Sequence, residues 1–254
     1  MQVTAGFDYV LLLEWLSEGD KRTGAELHAF LPLVGFKSEF VVCQSWEDVQ
    51  QALTAAASTI RSKGVPVVHL ETHGSDPWIG IPENIGFGQI GTPSVPWAQV
   101  GAFLAPLNVA ADFRLLFVSA ACWGSGIIAA IGGGEHPAPF ACAVGFRTSV
   151  GEGRLRDSMK ELYRSLKRGF TLEESVASAQ RELVQGQELR LEVAVELAVK
   201  ILRTTYYDAK ALRKAVAGPH RRRRRARGVW DSWFPPYLQE RNPTYRFESA
   251  HIDS

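Results

Sequence analysis

The sequence predicts an α/β protein with a mostly parallel central sheet of about six strands, flanked by helices. Short apolar and β-branched runs alternate with helical stretches over residues 1–186. Such alternation is typical of strand–helix–strand units whose helices cover the sheet. With 254 residues and 46% hydrophobic content, the chain can bury a core and has an ordinary globular composition.

The N-terminal part of the chain contains three predicted strands, each a short apolar run. They are expected over residues 9–13, 40–43 and 65–70. A helix is predicted over residues 23–33, with Gly35 as its stop. Ser45, with Asp48 three residues on, indicates the start of a second helix, which Gly64 ends.

The C-terminal part contains three more predicted strands, over residues 115–118, 140–144 and 189–201. The last rests on alternating apolar positions, although its composition also suits a helix. The Gly- and Pro-rich segment 78–96 is predicted to be a loop or small hairpin, and a helix follows over 97–107. Apolar spacing from Leu155 to Leu166 predicts another helix that Gly169 closes, and Thr171 with Glu174 forms the capping box of the next.

Composition excludes several classes of protein. No apolar run approaches the roughly 18 residues that span a bilayer, and the N-terminus lacks the basic region followed by a cleavage site that a secretory signal has. Three cysteines at positions 43, 122 and 142 fit neither a disulfide framework nor zinc spacing. We therefore expect a soluble, cytoplasmic protein without a membrane span.

Two motifs lie just past the carboxyl ends of predicted strands, where open α/β sheets place their reactive groups. They are His73-Gly74 and Ala121-Cys122-Trp123-Gly124. An imidazole near a thiol can take its proton and return it to a leaving amine. The peptide N–H groups of Gly74 and Cys122 are then candidates to face the oxyanion of a tetrahedral intermediate.

On these motifs the chain resembles the caspase-like (clan CD) cysteine peptidases, and within them the CHAT branch related to separase. The histidine and the cysteine are 49 residues apart, and the family's histidine precedes its cysteine by about 50 residues. The run from Ala143 to Tyr163 looks like the CHAT segment in which a strand, a loop and a helix lead to a second helix. The resemblance covers about residues 5–186.

The resemblance implies a caspase-like sandwich and a cysteine endopeptidase that acts on protein substrates. Cys122 would be the nucleophile and His73 the general base and acid, with no metal or organic cofactor. Many family members look like components of signalling or defence pathways, which implies a possible activating partner or ligand.

Substrate preference does not follow from the motif. Metacaspases place Asp, and caspases Gln, two residues before the nucleophile, where this chain has Ala120. Asp76 and Glu152 are the acidic candidates for binding a basic substrate residue. Residues that would suit a neutral pocket are Ser119, Trp123 and Thr148.

Taken singly, a histidine or cysteine after a strand is usually structural, and a domain that kept the fold for binding remains the main alternative. His69 shares its side of the strand with His73, but a core role is favoured. The segment 86–91 spells the dinucleotide fingerprint without the flanking strand and helix, so it is rejected as a nucleotide site. Gly132 to Gly134 lacks a phosphate-loop ending and is interpreted as a flexible border.

The C-terminal segment differs in charge from the rest. Residues 219–254 hold eight Arg and four acidic residues, a charge of +4, so residues 1–218 carry −3 of the chain's total of +1. We divide the chain into a peptidase domain, 1–217, and a basic, aromatic tail, 218–254. Arg221 to Arg227, six Arg in seven residues, would suit nucleic acid or an acidic partner. A solvated linker or a cleavage site are the alternatives.

Overall fold

A computed structural model describes residues 7–75, 78–80, 94–131 and 137–193. Its strands are β1 (Tyr9–Trp15), β2 (Ser38–Val42), β3 (Pro66–Thr72), β4 (Trp78–Ile79), β5 (Val95–Pro96), β6 (Leu116–Ala120), β7 (Cys142–Phe146) and β8 (Leu189–Val193). Its α-helices are α1 (Thr23–Phe30), α2 (Trp46–Lys63), α3 (Trp97–Ala110), α4 (Glu152–Lys167) and α5 (Leu172–Gln180).

Six strands form one sheet in the order β2-β1-β3-β6-β7-β8. The pairs among the first five are parallel, and β8 runs antiparallel to β7. The predicted fold class, a mostly parallel six-stranded sheet flanked by helices, is thereby confirmed. The short strands β4 and β5 pair with each other antiparallel, so the Gly- and Pro-rich segment does begin and end in a small hairpin.

The sheet is buried on both faces, because side chains alternate along each strand. Leu11 and Leu13 of β1 pack with α2 and α3, whereas Val10 and Leu12 of the same strand pack with α1, α4 and α5. Each face has its own core cluster, so the architecture is a three-layer sandwich.

Capping explains two of the helix starts. Ser45 accepts a hydrogen bond from the backbone N–H of Asp48, whose carboxylate accepts one from the Ser45 N–H, and Thr171 and Glu174 make the same exchange. Each exchange satisfies two backbone N–H groups that the helix itself leaves free. Both predicted capping boxes are confirmed.

Several element boundaries differ from the prediction by one to three residues, among them the ends of α1 and β1. The helix predicted over 23–33 ends at Phe30 and continues as a 3₁₀ turn over Leu31–Val34, closed by Gly35 at φ +88°. Strand β1 runs two residues further than predicted because the carboxylate of Glu14 is hydrogen bonded inside the core. Strand β8 covers 189–193; the rest of the predicted sixth strand and the whole basic tail lie outside the described residues, as do 86–91 and 132–134.

In the part of the chain that the structure describes, no helix combines the length and the apolar character needed to cross a membrane.

Candidate active site

Neighbouring parallel strands carry His73 and Cys122 to the same edge of the sheet. In the β3–β6 pair, Glu71 lies opposite Ala120. His73 and Cys122 each come two residues after this pair, so the chain delivers both at the same height. Strand β3 has seven residues and β6 has five, and the parallel register of the pair aligns their carboxyl ends. That register puts the two side chains on adjacent segments.

The two segments touch through their backbones at Gly74. A Cβ atom added to Gly74 would lie 2.0 Å from the carbonyl oxygen of Cys122 and 3.1 Å from the Cβ of Ala121. Only glycine permits this approach, because any side chain would collide with a backbone atom. Gly74 therefore holds the histidine segment against the cysteine segment.

Cys122 differs from the other two cysteines in exposure. Cys43 and Cys142 are buried, and Cys122 is half-buried. Burial, together with the nearby charge of Asp48, raises the pKa of the Cys43 thiol to about 12, so Cys43 stays protonated and inert. Both Cys43 and Cys142 lie inside the core.

The sulfur of Cys122 lies against the loop between β7 and α4. The backbone N–H of Val150 donates to the Cys122 Sγ at 3.4 Å, and that sulfur lies 3.7 Å from the Val150 carbonyl oxygen. Val150 thus contacts the sulfur through both of its backbone polar groups, with the thiol as donor to its carbonyl oxygen.

His73 has an acidic partner that the sequence analysis missed. Its Nε2 lies 2.8 Å from Oδ2 of Asp20, in the loop between β1 and α1. The same Asp20 oxygen accepts a hydrogen bond from the backbone N–H of Ser17 at 2.8 Å. Burial raises the pKa of Asp20. The hydrogen bond and the charge of His73, together with the hydrogen bond from the Ser17 N–H, lower it by more, so the pKa of Asp20 lies below its usual value. Asp20 is therefore ionised at neutral pH.

One signal for Asp20 was present in the sequence. It follows a strand by a few residues, as His73 and Cys122 do, and carboxyl ends of parallel strands meet at one edge. What the sequence did not contain was the strand order: β1 lies directly beside β3, and only that neighbour relation brings Asp20 to His73.

A cavity of about 660 Å³ opens beside His73. Its lining continues through the end of the β7–α4 loop and the first turns of α4: Val150, Gly151, Glu152, Gly153, Arg154 and Asp157. Val150 belongs to the lining and also contacts the sulfur of Cys122. His73 thus lines the cavity directly, whereas Cys122 reaches it only through the contact of its sulfur with Val150. The cavity is large enough for a side chain and the adjoining peptide backbone.

The two predicted oxyanion donors have no competing partner within the described residues. Gly74 and Ile79 form a β-bridge, but its two hydrogen bonds belong to neighbouring residues. The Ser75 N–H donates to the Trp78 carbonyl oxygen, and the Gly80 N–H donates to the His73 carbonyl oxygen. The N–H groups of Gly74 and Cys122 donate to no backbone or side-chain group among the described residues. Their role as oxyanion donors stays a prediction.

The predicted pocket residues occupy different environments. Glu152 lines the cavity, whereas Ser119 and Ala120 are buried and are not part of its lining. Trp123 is 39% exposed. The Thr148 hydroxyl is occupied, because it accepts a hydrogen bond from the Glu188 N–H at 3.3 Å. Asp76 lies outside the described residues.

Behind His73, the same side of β3 carries a buried polar chain. His69 is fully buried, with Nδ1 3.0 Å from the Tyr163 hydroxyl and Nε2 3.5 Å from the Glu71 carboxylate. The Thr23 hydroxyl donates to the other Glu71 oxygen at 2.7 Å. The predicted core position of His69 is confirmed, and this chain connects α4 to the start of α1, next to the loop that carries Asp20.

No protein-family profile matches the chain, and no curated protein is significantly similar to it in sequence.

Proposed function

We propose that the protein is a cysteine endopeptidase in which Cys122 attacks the scissile carbonyl and His73 transfers the protons. The observation that carries the proposal is the geometry of one sheet edge. A half-buried thiol and an imidazole on a carboxylate follow neighbouring parallel strands; the imidazole lines a cavity, and the thiol contacts Val150 of the same lining. Nucleophile, base and orienting acid are the three parts of an activated nucleophile.

The hydrogen bond to Asp20 assigns a role to each ring nitrogen of His73. Because Nε2 is the atom that faces the Asp20 carboxylate, it carries the proton, and Nδ1 is left as the base. An ionised Asp20 also stabilises the imidazolium that forms when Nδ1 accepts the thiol proton. Asp20 is thus a positioning residue in this mechanism, since it acts through His73.

The reaction then takes two steps. His73 accepts the proton of Cys122, the sulfur bonds to the peptide carbonyl carbon, and the oxyanion is met by the N–H groups of Gly74 and Cys122. The intermediate collapses as the C–N bond breaks and His73 gives its proton to the amine, which leaves a thioester on Cys122. Water, deprotonated by His73, hydrolyses the thioester and restores the thiol.

Further features of the proposal come from the family resemblance. A free thiol nucleophile needs a reducing compartment, which favours the cytoplasm. A place in a signalling or defence pathway, and an activating partner or ligand that orders the loops after β3 and β6, go with the caspase-like resemblance.

The competing proposal is an interaction module without activity whose basic tail binds nucleic acid or an acidic partner. It depends on Arg221 to Arg227, outside the described residues. An inactive module does not explain why the Asp20 carboxylate contacts His73 on the segment beside Cys122, the least buried of the three cysteines.

Cleavage of a peptide library that varies the residue before the scissile bond tests the proposal under reducing conditions. We expect turnover by the wild type and none by Cys122→Ala or His73→Ala. Cys43→Ser is the matched control, because Cys43 follows β2, two strands from β3, and is buried in an apolar cluster; it should keep the wild-type cleavage pattern. Turnover that survives in Cys122→Ala would exclude Cys122 as the nucleophile.

A further inference from the structure

The residue directly after the nucleophile has an unusual backbone. Trp123 has φ +58°, in the left-handed region, which bulky residues rarely occupy. Glycine would adopt this conformation without strain. The segment has glycines at positions 124 and 126, but position 123 itself holds tryptophan. Strain at a single residue persists where the surrounding structure imposes it, and such positions cluster at functional sites.

The indole of Trp123 is also exposed. Its residue is 39% accessible to solvent, in contrast to Trp15 and Trp97, which are buried. Exposing an indole forgoes part of the large stabilisation that its burial would supply. Two unfavourable features, strain and exposure, therefore coincide at the residue that follows Cys122.

The backbone of Trp123 is attached to the loop that borders the cavity. Its N–H donates to the Thr148 carbonyl at 3.4 Å, and its carbonyl accepts from the Gly126 N–H at 2.8 Å. Thr148 comes two residues before Val150, which contacts the Cys122 sulfur and lines the cavity. Trp123 thus lies where Cys122 and the cavity loop meet.

We propose that Trp123 is a specificity-determining residue whose indole binds a large apolar side chain of the substrate next to the scissile bond. This inference rests on the proposed peptidase function and adds a substrate class to it. An aromatic surface binds aliphatic and aromatic side chains by burying apolar area, and it offers no counter-charge to a charged one. Substrate binding would remove from water the indole surface that the free protein exposes.

The test compares kcat/KM for peptides that differ only in the residues flanking the scissile bond, with Leu or Phe in one series and Ser or Gly in the other. The wild type should prefer the apolar series. Trp123→Gly, which adopts the same backbone without strain, should lower the ratio of the two kcat/KM values about tenfold or more. Trp123→Phe should retain most of the preference.

A purely structural role would change the result in a different way. Damage to the cysteine segment lowers kcat/KM for both peptide series equally and leaves their ratio unchanged, so an unchanged ratio in Trp123→Gly overturns the inference. Phe170→Ala, which removes an aromatic residue of similar exposure (45%) before α5, should leave the ratio at the wild-type value. If the wild type cleaves neither series, the peptidase proposal itself fails, which is a separate outcome.

Discussion

At the scale of single residues, Asp20 is the group whose removal is most informative. Asp20→Asn keeps the size of the side chain but removes the charge that fixes the His73 proton on Nε2. We expect kcat to fall at least about tenfold with little change in KM, because positioned proton transfer contributes that much or more. Steady-state kinetics on a cleaved library peptide measures both constants, and an unchanged kcat would remove Asp20 from the mechanism.

The same substitution has a pH-dependent effect on stability. The pKa of Asp20 lies below its usual value in the folded protein, so the ionised group stabilises the fold above the unfolded pKa of about 3.9. This contribution is lost as the pH falls through the lowered folded pKa. The difference in free energy of unfolding between wild type and Asp20→Asn should therefore be present at pH 5 and shrink towards pH 2 in denaturant titrations.

Asp48→Asn is the matched control for both experiments. The backbone hydrogen bonds of Gln44 and Ser45 lower the pKa of Asp48 in the capping box of α2. Its substitution should also weaken the fold more at pH 5 than at pH 2. It should leave kcat unchanged, since Asp48 contacts neither His73 nor the cavity. A loss of kcat in both variants would mean that stability, not chemistry, explains the Asp20 result.

At the scale of elements, the contact between the β3 and β6 extensions is open to a direct test. Gly74→Ala would put a Cβ 2.0 Å from the Cys122 carbonyl oxygen, so the two segments must separate. We expect about a hundredfold loss of kcat/KM, since a displacement near 1 Å in a reactive pair costs that much. Gly19→Ala, where an added Cβ meets no atom within 4 Å, should be fully active; equal activity of both variants would contradict the contact.

The buried polar chain between α4 and β3 gives a second prediction at this scale. Tyr163→Phe removes the hydroxyl that lies 3.0 Å from His69 Nδ1 and leaves that buried nitrogen without its partner. Unfolding in urea should show a loss of about 1 to 3 kcal/mol. The control is Tyr9→Phe, because no hydrogen bond joins the Tyr9 hydroxyl to a described residue. Its loss should cost little, and equal effects of the two variants would argue against the polar chain.

Local sequence signals predicted these elements well where the physical cause is local. Both capping boxes depend on residues three positions apart, and both form as expected. The end of α1 was predicted three residues late because Pro32 and Gly35 favour a 3₁₀ turn that apolar spacing does not reveal. The burial of Ser119 and Ala120 depends on β6 lying in the middle of the sheet, which is a tertiary property.

At the scale of the whole molecule, the sequence predicted the layered architecture but not the strand order. Alternation of strands and helices requires a covered, mostly parallel sheet, and His73 and Cys122 could be placed at its edge because each ends a strand. Asp20 could not, since its approach to His73 depends on β1 and β3 being neighbours. The same long-range placement sets the cavity, whose lining joins His73 to residues about 80 positions further along the chain.

The proposed cysteine–histidine pair is tested most directly by the rate at which iodoacetamide alkylates each cysteine. Mass spectrometry follows these rates from pH 5 to pH 9. In this reaction the sulfur displaces iodide, so it reports the thiolate without needing a substrate. Cys122 should react at neutral pH far ahead of Cys43 and Cys142, and His73→Ala should slow the reaction of Cys122 alone. Alkylation of Cys122 that is slow, or unaffected by His73→Ala, would contradict a reactive cysteine–histidine pair.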